Sequence, residues 1–252
     1  MTECTAVIVA AGLGVRMGAR GRLTPKGMIA LDGMPLVRAS VLHLADRGIS
    51  KVRIVTGHLA EAYRQEFSAT PGVELVHNAD YHRSGSLWSL GCGLAGLSGP
   101  VVILESDIMY EPRALDPMLR GTSGLVLSGP TSAGDEVYVW TKADSQLIDM
   151  SKRADHRDEA HRGELVGISA LAATDLDAFR ATAQKLIGAD IKADYESGLV
   201  AHAAGHSYTC PLIDDLAWAE VDDETMLADA YMRVWPLASA GLPRAPGRAQ
   251  AI

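Results

Sequence analysis

Cysteine is scarce in this chain of 252 residues. Cys4, Cys92 and Cys210 are odd in number and far apart, which excludes a disulfide framework and a closed zinc site. That usage implies a reducing, cytoplasmic compartment. Positive charge is also in short supply, with 23 Lys and Arg against 31 Asp and Glu and a formal net charge of -8. This balance argues against a nucleic-acid surface, which needs clustered cations. No apolar run reaches the roughly 18 residues of a membrane-spanning helix, and the opening MTEC lacks the basic segment of a secretion signal. No repeat of solenoid period is present. Aromatic side chains make up 5% of the chain, whereas hydrophobic residues make up 48%, enough for a substantial core.

What is present concentrates first in residues 5–26, TAVIVAAGLGVRMGARGRLTPK. Residues 5–11 form a β-branched and alanine run of the length of a buried strand. Gly12 and Gly14 follow, permitting backbone angles closed to other residues and letting main-chain N–H groups approach an anion. Arg16 and Lys26 add two cations, so the stretch describes a seat for a polyphosphate. Spacing separates the familiar loops. A dinucleotide fingerprint requires glycine at position 17, where Met17 stands, and a P-loop requires Gly-Lys-Ser/Thr, whereas Lys26 follows Pro25. The remaining pattern, Ala-Ala-Gly-x-Gly-x-Arg-Met with Pro-Lys beyond, resembles the nucleotidyltransferase loop. With so acidic a chain, a nucleotide ligand needs divalent cations to offset like charge.

Along the chain, helical spacing predicts helices over 36–47 and 59–67, and β-rich runs predict strands over 51–56 and 73–77. The alternation implies an α/β fold with a mostly parallel central sheet and helices on both faces. In such sheets, ligands lie outside the carboxyl ends of the strands. The loop 78–86, NADYHRSGS, enters a helix at Ser84, Gly85 and Ser86. Capping is the bland account of Ser86, and reading a base edge is the functional one. The most apolar run, 100–104, predicts a central strand ending in Glu105-Ser106-Asp107. Carboxylate oxygens at such an exit suit Mg²⁺, which makes Asp107 the first metal candidate and Glu105 the second.

Beyond Pro112 the pattern shifts to strands over 125–128, 136–140, 146–150 and 165–171, a smaller β-rich part. Asp135 and Glu136 sit at a glycine turn there, and Lys152 and Arg153 at a strand exit. The charged segment 154–164, ADHRDEAHRGE, reads as a solvated mobile loop and at most a lid, because His156 and His161 lack the spacing of a zincin helix. Helices are predicted over 174–186 and 194–204, the second opening with Asp194, Tyr195 and Glu196. A strand over 216–221 leads to Asp222-Asp223-Glu224 before another helix. Asp222 suits an N-cap, and it also suits a second metal ligand. Residues 239–252 read as a loose tail.

Taken together, these residues carry a resemblance to the sugar-phosphate and phosphocholine nucleotidyltransferase superfamily, and within it most to the bacterial 2-aminoethylphosphonate cytidylyltransferases. It rests on AVIVAAGLGVRM with TPKGM, TGHLAEAY, NADYHRSGSL, LESDIMY, SGPTSAGDEVY, SKRADHRDEAHRGELVGI, KADYE and AEVDDE, which span 5–235. The resemblance implies a Rossmann-like nucleotidyltransferase domain over 1–238, with a nucleotide half over 1–111 and an acceptor half over 112–238. Ala10, Ala11, Gly12, Gly14 and Arg16 would hold the triphosphate of CTP, and Lys26 would contact the reacting phosphate. Ser84, Gly85 and Ser86 would read cytosine, and Asp107 and Asp222 would hold Mg²⁺. Asp135, Glu136, Lys152, Arg153, Asp194, Tyr195 and Glu196 would surround a small phosphonate or phosphate-ester acceptor. The many acids and few aromatics favour a primary ammonium over a trimethylammonium. Phosphocholine and 2-hydroxyethylphosphonate stay open as acceptors, as does a homodimer. A nicotinamide oxidoreductase would need glycine at position 17 and gives the Pro-Lys and the paired aspartates no purpose, and retention of both candidate metal acids argues against a non-catalytic nucleotide-binding module.

Overall fold

The β-branched runs pair as strands and the helical periods between them form helices, in a computed structural model that describes residues 3–131, 134 and 136–243. β1 (Thr5–Ala10) leads through the glycine-rich turn, the single turn α1 (Gly18–Gly21), and the hairpin β2 (Ala30–Leu31) and β3 (Met34–Pro35) into α2 (Leu36–Asp46). The alternation continues with β4 (Lys51–Thr56), α3 (Ala60–Phe67), β5 (Val73–His77), α4 (Ser86–Leu94) and β6 (Val101–Glu105). The second half contains β7 (Ile108–Tyr110), β8 (Gly124–Ser128), β9 (Tyr138–Thr141), β10 (Leu147–Ser151) and β11 (Gly163–Leu171). It closes with α5 (Leu176–Ala189), α6 (Tyr195–Ala203), β12 (Leu212–Ile213), β13 (Trp218–Glu220), α7 (Glu224–Arg233) and α8 (Trp235–Ala238).

The main sheet runs β10-β9-β11-β6-β1-β4-β5, with β8 paired to β11 and β12 paired to β8. β1 pairs in parallel with β4 on one side and β6 on the other, and β5 extends the parallel run. β11 then joins β6 antiparallel and carries the β-rich second half. The strand alternation explains the two main cores. Ala6, Ile8, Val102 and Leu104 face one side and pack with Val37, Val41 and Leu44 of α2 and with Tyr63 and Phe67 of α3. Val7, Val101 and Ile103 face the other and meet Leu87 and Leu90 of α4, Phe179 of α5 and Leu199 of α6. Burying each such side chain contributes roughly 1.5–3 kcal/mol. A third core joins Met17, Ile29, Met109, Val221, Leu227 and Trp235. It locks the loop carrying Lys26 against the segment carrying Asp222.

Several local expectations change. Asp222 does not cap α7: Asp223, extended at φ -144° and ψ 177°, accepts the N–H groups of Thr225 and Met226, while cations draw the Asp222 side chain away. Ser86 does not cap α4 either. Gly85 holds that position, and the Ser86 hydroxyl accepts a hydrogen bond from Tyr195 N–H at 2.9 Å. Within the charged segment expected to be a solvated mobile loop, the carbonyl of Glu159 accepts from Trp140 Nε1 at 2.7 Å, and Asp149 pairs with His156 at 3.2 Å and Arg157 at 3.3 Å. The chain after α8 stays engaged through Leu242, which packs on the third core. Residues 244–252 of the expected tail lie outside the described residues. Among the described residues, no helix is long and apolar enough to cross a membrane.

Candidate active site

The turn after β1 and the exit of β6 lie side by side at the carboxyl ends of paired strands, with Val9 in register with Glu105. This is the switch point of the parallel sheet, where β4 and β6 leave β1 in opposite directions. Ala10 and Ala11 are buried, so only their backbone is available to a ligand, while Gly12 is exposed. Gly14 sits at φ +62°, a left-handed conformation that favours glycine, and its carbonyl accepts from Met17 N–H at 3.1 Å. Met17 is buried in the third core and anchors the far side of the turn. Gly12, Gly14, Lys26, Ser86, Asp107 and Tyr195 line a cavity of about 200 Å³.

Lys26 is the centre of charge. Its Nζ lies 2.9 Å from Asp107 Oδ2 and also contacts Asp222 Oδ1, while the Arg16 guanidinium pairs with Asp222 Oδ2. Asp222 is 1% exposed and Lys26 16%, so the two predicted metal acids are held together by a cation in a largely dry place. The carboxylates come from two matching strand exits. Glu105-Ser106-Asp107 closes β6, Glu220-Val221-Asp222 closes β13, and Val221 N–H donates to Asp107 O at 2.8 Å. Oxygens of Glu105, Asp107 and Glu220 all lie within 4.8 Å of one another. Oxygen-only donors converging from two strands fit a hard divalent cation. Glu220 was not singled out from the sequence, although its Glu-x-Asp spacing repeats that of Glu105 and Asp107.

A second cleft, of about 250 Å³, opens on the other side of Glu105 and Glu196, which line both cavities. Glu136, Lys152, Trp218, Glu220 and Arg233 also line it. Burial raises the Glu105 carboxyl to about 8, assisted by the negative charges of Glu196 and Asp107. Burial likewise raises Glu196 to about 7. The Tyr195 hydroxyl, pushed well above its ordinary value by burial, donates to Glu105.

The acceptor candidates separate in space. Glu136, Lys152 and Glu196 line the cleft, and Tyr195 stands in the wall of the first cavity. Asp194 caps α6 through Ser197 N–H at 2.8 Å and borders a neighbouring hollow with Lys152. Arg153 does not join them: it pairs with Asp155 at 3.0 Å, and both side chains are exposed. Asp135 lies outside the described residues. Trp218 and Arg233 enter the cleft from the late strand and helix, where local sequence pattern gave no sign of them. Of the base-reading candidates, Ser84 accepts from the buried Asn78 Nδ2 at 3.1 Å. Gly85 is held by backbone contact with 191–193, where an added Cβ would fall 2.2 Å from Ala193 O.

The model of the MobA-like NTP transferase domain matches residues 6–186. The CMP-5'-(3-aminopropyl)phosphonate synthase of Streptomyces rubellomurinus is 30% identical over 248 residues, covering 92% of this chain and 39% of that protein. The 2-aminoethylphosphonate cytidylyltransferase of Lancefieldella rimae is 31% identical over 143 residues, covering 54% of this chain and 56% of that protein. The chain thus spans about two fifths and a little over half of these curated relatives. Among solved structures, the CTP:phosphocholine cytidylyltransferase of Streptococcus pneumoniae superposes with a TM-score of 0.77 at 19% identity, over 91% of this chain and 98% of that one. The inositol-1-phosphate CTP transferase of T. maritima gives 0.80 at 16% identity, over 96% and 99%. These two likenesses are of fold.

Proposed function

The chain belongs to the MobA-like NTP transferase domain family, and on that premise we propose that it is a cytidylyltransferase that transfers CMP from CTP to 2-aminoethylphosphonate and releases pyrophosphate. A phosphonate oxygen forms the new bond to the α-phosphorus as the bond to the pyrophosphate oxygen breaks. A phosphonate is already anionic near neutral pH, so no general base is needed. The residues must instead align two anions and offset the charge that builds on the transferred and leaving groups. Gly12 and Gly14 offer backbone N–H groups to the phosphates, and Arg16 and Lys26 supply fixed positive charge. Asp107 and Asp222 would hold Mg²⁺, which when bound further offsets phosphate charge.

One observation carries the choice of acceptor. Glu136 and Glu196 line the cleft beyond the nucleotide-side cavity, acidic side chains whose oxygens suit the N–H bonds of a primary ammonium. The two curated relatives named for aminoalkylphosphonate chemistry support the same acceptor class. Trp218 in the cleft supports phosphocholine as a second reading, since an aromatic face attracts a trimethylammonium. Phosphorus NMR of the products tests the proposal. CTP and 2-aminoethylphosphonate should give a coupled pair of signals from a phosphonate joined to a phosphate, and free CMP without such a pair would reject it.

A further inference from the structure

The stretch expected to read a base is engaged on its opposite side. Gly85 N–H donates to Ile191 O at 2.8 Å, Leu87 N–H donates to Ala193 O at 3.2 Å, and Tyr195 N–H donates back to Ser86 Oγ at 2.9 Å. These bonds stitch the start of α4 to the start of α6. The first amides of a helix have no partner within it, so each needs one from outside. In α6, Asp194 serves Ser197 N–H, and Ser86, more than a hundred residues away in sequence, serves Tyr195 N–H. Tyr195 then reaches Glu105, and Glu196 follows in the wall shared by the two cavities.

We propose that Ser86 is a positioning residue for the acceptor: its hydroxyl fixes the first turn of α6 and so sets where Tyr195 and Glu196 stand at the cleft. This rests on the reading that the cleft lined by Glu136 and Glu196 receives the acceptor. The chemistry it serves is recognition of a cationic group by carboxylates whose backbone must be held still. A serine hydroxyl acts here as the acceptor that a helix start lacks, rather than as a probe of the base.

Ser86→Ala and Ser86→Thr test the proposal. In ligand-free protein, amide exchange followed by NMR should quicken by about tenfold or somewhat less at Tyr195 in the alanine variant, from loss of one hydrogen bond. It should return towards the parent rate in the threonine variant. In turnover, KM for 2-aminoethylphosphonate should rise by about fivefold to tenfold in the alanine variant, more than the KM for CTP rises, and threonine should restore it. A rise in the KM for CTP alone, with Tyr195 exchange unchanged, overturns the proposal and makes Ser86 a base contact. Equal losses in every parameter without threonine rescue also overturn it. If the parent enzyme is inactive with every acceptor, the functional reading fails by itself, and the exchange rates still decide whether Ser86 holds α6.

Discussion

Replacing Lys26 by methionine keeps most of the side-chain volume and removes the cation that joins Asp107 to Asp222. Asp222 is 1% exposed and, among the described residues, would keep Arg16 as its ion-pair partner, with a side chain 56% exposed, while Asp107 would lose its pairing with Lys26. Breaking a buried ion pair by removing one partner costs about 3–5 kcal/mol. Because Arg16 retains part of the compensation, the lower end, about 3 kcal/mol, is expected. For a protein of this size each kcal/mol lowers Tm by about 2–4 °C, so metal-free Lys26→Met should melt about 6–12 °C below the parent. A divalent cation can then occupy carboxylates that Lys26 no longer holds. At a hundred times its Kd, Mg²⁺ adds about 2.7 kcal/mol, which nearly cancels the loss. Thermal denaturation with and without Mg²⁺ measures both effects, and the Mg²⁺-induced rise in Tm should be larger in the variant than in the parent. Turnover should nevertheless stay at least about a hundredfold down, since loss of a group that stabilises developing charge costs about 2.7–4 kcal/mol. An unchanged metal-free Tm, or equal Mg²⁺ shifts in both proteins, would refute the reasoning.

Asp222→Asn should leave the helicity of α7 unchanged, because Asp223 provides the cap, but should lower the Tm of Mg²⁺-free protein by about 6–12 °C through loss of the buried partner of Lys26, and lower turnover by at least about a hundredfold; circular dichroism, melting and rate together check this. Glu196→Gln should raise KM for an amine-bearing acceptor by about tenfold and leave KM for 2-hydroxyethylphosphonate nearly unchanged, because only the ammonium uses the negative charge. His43 is buried, and burial, helped by the charge of Arg47, lowers its pKa from 6.5 to about 4. The unfolded chain therefore binds the proton first, so this group's contribution is complete above pH 6.5 and declines as pH falls towards 4, by up to about 3 kcal/mol. Urea unfolding across that range should show a shallower pH slope in His43→Phe than in the parent, and identical slopes would contradict the assignment.

The alternating half of the fold was legible because period-2 and helical patterns each act within a few residues: 51–56 and 73–77 are strands with the bounds read from sequence. Asp107 was legible because a polar exit to an apolar central strand has one meaning in a parallel sheet. Asp222 was legible as an acid brought beside Asp107 but not as a non-cap, since two adjacent aspartates before a helix compete for one role and only the pull of Lys26 and Arg16 decides between them. Glu220 needed the pairing of β13 with β7 to bring the second Glu-x-Asp beside the first. Arg153 read as an acceptor residue from its position at a strand exit, but a neighbour two residues away, Asp155, takes its guanidinium. Ser86 read as a local cap, whereas its partner is Tyr195, a long-range relation that no local pattern encodes.

Pyrophosphate release with Mg²⁺ tests the central claim most directly, using CTP against ATP, GTP and UTP, and 2-aminoethylphosphonate against 2-hydroxyethylphosphonate and phosphocholine. Rapid release confined to CTP with the primary amine is the predicted result. Release with another nucleotide or a different acceptor would contradict the assignment of base or cleft, and no release with any pair would contradict nucleotidyl transfer itself.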